Sequence, residues 1–246
     1  MSELTPDNDP GSRVLAVFLL GAAVLFALSP LLTEPFSGFT EDQLPIPQMD
    51  PPVQPAGYAF SIWGVIYLWL IASTGFGLFR RDTDPRWSAS RLPLLASLVV
   101  GVAWLPVANA SAVWATILIW VMLAGAAWAL LVTPRKDVWW LRAPVGLYAG
   151  WLTAASWVSL ATVAAGYGLV GDAALAAYLG IAGALATSLA VLAVRPDASA
   201  YVAAVIWALI GIVAANTDGV VGVAGLAAAG ALALAVVGLR GLRAPG

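Results

Sequence analysis

Neither cysteine nor histidine occurs among the 246 residues. The chain therefore offers no disulfide, no zinc site and no histidine ligand for a haem iron. Charge is almost as scarce. Only 10% of residues are charged, against about 25% in an ordinary soluble domain. What fills the chain instead is apolar: 61% of residues are hydrophobic, and they fall in long blocks rather than in a globular alternation.

About 20 consecutive apolar residues span a bilayer. Uncharged runs of that order recur along the whole sequence, and the run 92–134 is long enough for two spans turning at Ala108–Ser111. The blocks predict eight helices, at 14–33, 57–79, 92–109, 112–133, 144–165, 173–194, 200–216 and 219–239. The expected fold class is an all-α integral membrane protein, a helical bundle of about eight transmembrane helices. No Asp, Glu, Lys or Arg lies inside a proposed span. Intramembrane charges are what mark proton relays and ion paths. Without them, and without His or Cys, acid–base or nucleophilic catalysis has few candidates.

The 11 basic residues all fall in alternate connections or at the termini, at Arg13, Arg80, Arg81, Arg86, Arg91, Arg135, Lys136, Arg142, Arg195, Arg240 and Arg243. The intervening connections hold Glu34, Glu41, Asp42, Asp50, Asp172 and Asp218 and no base. The positive-inside rule then puts both termini in the cytoplasm of a multi-pass plasma-membrane protein. A leader with Glu3, Asp7 and Asp9 against a single Arg13 is not the positive start of a cleaved signal peptide.

One outer connection is long. Glu34–Ala56, EPFSGFTEDQLPIPQMDPPVQPA, holds six prolines and four acids. A loop of this length is usually functional or disordered. Proline stiffening favours extended segments, so an ordered lid and a floppy linker both stand as readings. Beneath it the second helix opens on Tyr58, Phe60, Trp63 and Tyr67, the last three at i, i+3, i+7 and hence on one face. At 1.5 Å per residue, Trp63 sits about 9 Å below the outer end of that helix. Trp104, Trp114 and Trp157 fall in the outer halves of the third, fourth and fifth helices, and Trp151 also lies on the fifth. Together with Asn109 and Ala155 these aromatics form a candidate ligand-binding site. No catalytic and no metal-binding residue is assigned. Trp87, Trp139 and Trp140 are expected to be cytoplasmic interfacial anchors. Residues 166–246 are rich in Ala and Gly and carry only one of the 12 tryptophans, Trp207. Small residues let membrane helices approach closely, which marks this region as a packing unit and a candidate surface for a homo-oligomer.

PAGYAFSIWGVIY (Pro55–Tyr67) resembles the second-helix signature of the TspO/MBR family, the tryptophan-rich sensory or translocator proteins. WLPVANA (Trp104–Ala110), Trp114 and GWLTAA (Gly150–Ala155) resemble further family segments in the same order. The resemblance covers about residues 1–165. It departs at Tyr58, where the family has Trp, and at Gly101 and Ser159, where it has Asn. The last three helices have no counterpart. The resemblance implies a five-helix bundle, 1–165, with a ligand pocket in one leaflet closed by the external 34–56 loop. Residues 166–246 would form three added helices. It also implies porphyrin-type or sterol-type ligands.

Aromatic faces, two tyrosine hydroxyls and one amide suit a flat apolar molecule: a tetrapyrrole, sterol or isoprenoid. The leading expectation is a receptor- or sensor-like binding protein. A transporter of small apolar molecules and an enzyme modifying a porphyrin or isoprenoid are the alternatives. No cofactor is required, although a bound tetrapyrrole is expected as one candidate ligand. The expected partners are the apolar small molecule and the bilayer, and no nucleic acid.

Overall fold

A computed structural model describes residues 10–34, 36 and 38–243. The acidic leader with Glu3, Asp7 and Asp9 lies outside the described residues. Eight α-helices follow one another: α1 Pro10–Leu28, α2 Ile62–Arg80, α3 Pro85–Ala110, α4 Ala112–Val132, α5 Ala143–Gly166, α6 Ala173–Val194, α7 Ser199–Ala215 and α8 Val221–Arg243. Seven are long and apolar enough to cross a membrane, and α7, with 17 residues, is shorter. The protein is a helical membrane bundle.

Helix ends differ from the expected ones where local chemistry intervenes. The chain leaves α-geometry at Leu28, five residues early, because Pro30 has no N–H to donate to the Phe26 carbonyl, which takes the Ser29 hydroxyl at 2.8 Å instead. The chain tightens there into a 3-10 turn, Ser29–Leu31. At the other extreme α3 starts at Pro85, seven residues before the apolar run. The Asp84 carboxylate caps it by accepting from the Arg86 N–H at 3.0 Å, and proline is favoured at a first helical position. The α3–α4 turn shrinks to Ser111 alone, whose hydroxyl accepts from the Trp114 N–H. One π-turn, Val138–Arg142, leads into α5.

Helix α5 is the centre of the bundle. It packs on α2, α4, α6 and α7, and every residue from Ala143 to Ala154 is buried. Around it α1 leans on α2 and α3, α3 pairs with α4, and α8 closes the far side against α6 and α7. Small residues set the closest approach: a Cβ on Gly150 would collide with the Tyr201 carbonyl of α7. Hydroxyls tie the helices together, as bilayer helices require in the absence of a hydrophobic drive between them. Ser97 of α3 bonds the Tyr148 hydroxyl of α5 at 2.9 Å, and Thr153 of α5 bonds the Tyr201 hydroxyl of α7 at 2.9 Å.

The basic connections gather at one end of the bundle and are laced to acids. Arg81 pairs with Asp137 at 2.9 Å, and Asp197 receives Arg142, Arg195 and Arg135. Trp87 sits here and corrects the sequence expectation. It is 3% exposed, lies in the first turn of α3, and donates its indole N–H to Asp137 at 3.0 Å. It is a packed strut and not an interfacial anchor, because α3 begins early enough to carry it inward. Trp139 and Trp140 are exposed. Arg91 is buried inside α3 and donates to the Ser12, Asp82 and Arg81 carbonyls, pinning the start of α1 to the α2–α3 turn.

Candidate functional site: a lidded aromatic cavity

The described residues of the 34–56 connection are folded down onto the opposite end of the bundle. Its amide and carbonyl groups bond three different helices. Ile46 N–H donates to the Gly166 carbonyl at 2.9 Å, Ala56 N–H to the Gly211 carbonyl at 3.0 Å, and the Asn216 amide to the Pro52 carbonyl at 2.8 Å. Gln43 reaches the Ala108 carbonyl, and Asn109 reaches the Glu34 carbonyl, both at 3.0 Å. Leu44 and Val53 are buried beneath it. Gly38 has φ +127, and a Cβ there would lie 2.9 Å from the Gln54 amide oxygen, so only glycine fits this turn without strain. The described residues of the segment are thus fastened over this end of the bundle.

Under the lid lies a cavity of about 290 Å³. Helix α2 supplies Trp63 and Tyr67 to its wall, preceded by Phe60 on the 3-10 turn Gly57–Ser61. Trp63 stacks on Tyr67 at 5.4 Å and meets Trp151 edge-on at 6.2 Å, and Phe60 meets Trp151 edge-on at 5.8 Å. Trp104 enters from α3 with its N–H donated to the Ala115 carbonyl at 2.9 Å, which fixes the ring. Ala155 joins from α5. Of the ten residues expected at the site, these six line the cavity.

The other four sit elsewhere. Tyr58 is about half exposed and packs edge-on against Trp207 at 5.7 Å. Trp114 is 61% exposed on the outside of α4. Asn109 is exposed and holds the lid rather than the cavity. Trp157 lies two residues beyond Ala155 and so on another face of α5. It donates to the Thr187 hydroxyl at 3.0 Å, meets Trp120 edge-on, and fills the space left by Gly183 of α6.

Several lining residues went unnoticed in the sequence. On α5 the cavity face is Trp151, Ala154, Ala155, Val158, Ser159 and Thr162. These fall at i, i+3, i+4, i+7, i+8 and i+11 from Trp151, one helix face, so the helical period starting from Trp151 was a sufficient signal. Phe26 of α1 contacts both Trp63 and Tyr67, and Phe36 of the lid meets Trp104 at 5.2 Å. For these, one phenylalanine in an apolar helix and one in a loop carry no local pattern. Ala208 shows that α7 also reaches the cavity.

Of the tryptophans in the segments that carry the resemblance, Trp63, Trp104 and Trp151 line the cavity and Trp114 does not. The sequence profile of the TSPO-like protein family matches residues 14–238. The chain belongs to the TSPO-like family. The match runs through α6–α8, which single motifs had left without a counterpart. Comparison with curated proteins gives no match. Nor does comparison with solved structures.

Proposed function

We propose that this TSPO-like protein binds a flat, apolar small molecule in the lidded cavity and acts as a membrane receptor or sensor. It would reside in the plasma membrane with both termini cytoplasmic and the lid outside. The observation that carries the reading is the cavity itself. Its wall is built on Trp63, which packs against both Tyr67 and Trp151, under a loop fastened to three helices. Apolar sites with a few convergent polar groups are where small ligands bind, and aromatic faces favour planar or ring-containing skeletons. Binding is preferred to ion-coupled transport because the one carboxylate of the lining, Glu34, belongs to the lid and not to a helix.

The test is a titration of the purified protein with dehydroergosterol, a fluorescent sterol that accepts energy from tryptophan. Saturable transfer in the wild type, lost in Trp63→Ala and retained in Trp139→Ala, is the expected result. Equal affinities for the two variants would reduce Trp63 to helix packing and end the reading.

A further inference from the structure

Three hydrogen-bond donors stand out among the polar groups of the cavity. Trp63, Tyr67 and Trp151 bring two indole N–H groups and a hydroxyl, and none of these bonds another described residue. The Trp151 N–H is buried without an acceptor. An indole N–H can only donate, and a buried donor left unpaired is costly. Other polar side chains of the lining are already committed: Trp104 to the Ala115 carbonyl, Ser159 to Thr116 at 2.6 Å, Thr162 to the Val158 carbonyl at 2.9 Å, and Gln54 to a partner of its own. Among the described lining residues there is no Lys or Arg, and Glu34 is the one ionisable carboxyl. The sequence around this end adds Glu41, Asp42, Asp50, Asp172 and Asp218, with every base at the other end.

We infer that the site selects neutral apolar ligands whose polar end is a hydrogen-bond acceptor, such as a hydroxyl, ketone or ester. It rejects the same skeleton when it carries a free carboxylate. The inference rests on the ligand-binding reading above and narrows its ligand class. A carboxylate entering this cavity sheds its water and meets no counter-charge, which is strongly unfavourable, while Glu34 adds like-charge repulsion on the way in. An acceptor oxygen does the reverse, because it can bond the Trp63 N–H and the Tyr67 hydroxyl of the wall. A tetrapyrrole with free propionate groups therefore fits poorly: the ring suits the wall and the acids do not.

Retinol and retinoic acid test this directly, since they share one isoprenoid skeleton and differ in a hydroxyl against a carboxylate. Both are titrated at neutral pH by energy transfer from tryptophan, into the wild type, Glu34→Gln and Glu41→Gln. Retinol is expected to bind about tenfold or more tighter than retinoate. Glu34→Gln should narrow that ratio by about threefold, the size of a partly screened rim charge. Glu41→Gln, exposed and outside the lining, should leave the ratio where it was. Retinoate binding as tightly as retinol, or a ratio unmoved by Glu34→Gln, would overturn the selectivity while the binding reading stands. Failure of retinol, retinoate and dehydroergosterol alike would remove the binding reading, and the selectivity with it.

Discussion

Trp63 has more ring partners than any other residue of the cavity. It touches Phe26, Tyr67 and Trp151 and opens onto the cavity. A buried stacking partner is worth on the order of 1 kcal/mol beyond its area, and its buried surface adds about 2 kcal/mol. Trp63→Ala should weaken sterol binding about a hundredfold, at 1.4 kcal/mol per factor of ten. Trp63→Phe should fall between Trp63→Ala and the wild type, because a ring face survives while area is lost. At the other end of the bundle Asp137 has an equally defined part. It sits in the left-handed region at φ 54 and accepts from Arg81 and Trp87. The Arg81 hydrogen bond, chiefly, holds its carboxyl below the usual range, with Trp87 adding to it. Because the folded value is depressed, its stabilising effect is complete above the unfolded carboxylate pKa of about 3.9. That effect is lost as pH falls through the lower folded value. Asp137→Asn keeps a side chain tolerated at that φ. It should lower the thermal midpoint by a few degrees at neutral pH and by less under acid conditions, as a melt of the detergent-solubilised protein at two pH values would show. An equal deficit at both would assign Asp137 a role without charge.

At the scale of elements, the lid and α7 depend on each other through one glycine. A Cβ on Gly211 would lie 2.8 Å from the Pro55 Cβ and 2.9 Å from the Ala59 Cβ, while the Gly211 carbonyl accepts from Ala56. Gly211→Val should push the Pro51–Ala56 segment off α7. Limited proteolysis should then cut within 34–56 at protease levels that leave the wild type intact, and sterol affinity should fall. A lid as resistant as the wild type's would show that α7 yields instead. None of this coupling was legible in the sequence. The helices themselves were, since a run of apolar residues between charges is a local signal that needs no partner. Their ends were less so: the early stop at Leu28 and the early start at Pro85 hinge on Pro30 and on the Asp84 cap. Within the site, Phe60, Trp63 and Tyr67 were readable because one helix face repeats. Trp157 was misplaced for the converse reason, since a tryptophan at the right depth can still point away from the cavity. Contacts such as Asn216 with Pro52 join residues far apart in the chain, and no periodicity announces them.

For the whole molecule, the segregation of charge makes a prediction about sidedness. Lys136 is exposed at the basic end and Glu41 at the lid end, and the chain contains no cysteine to confuse labelling. The positive-inside rule puts Lys136 in the cytoplasm. An impermeant thiol reagent applied to intact cells should therefore modify Glu41→Cys and spare Lys136→Cys. The reverse pattern would invert the orientation. The fastening of the lid also has a consequence in time. Its bonds to Ala108, Gly166, Gly211 and Asn216 cannot be released one by one to any effect, because each of the others still holds the loop over the cavity. On the binding reading, passage of a ligand through the loop should wait on a concerted opening that the ligand does not itself accelerate. In stopped-flow mixing, the observed association rate should climb with sterol concentration and then level off at the opening rate, and the residence time should be long for so small a site. A rate that keeps rising linearly would mean that molecules arrive sideways, between helices, and that the loop is a roof rather than a door.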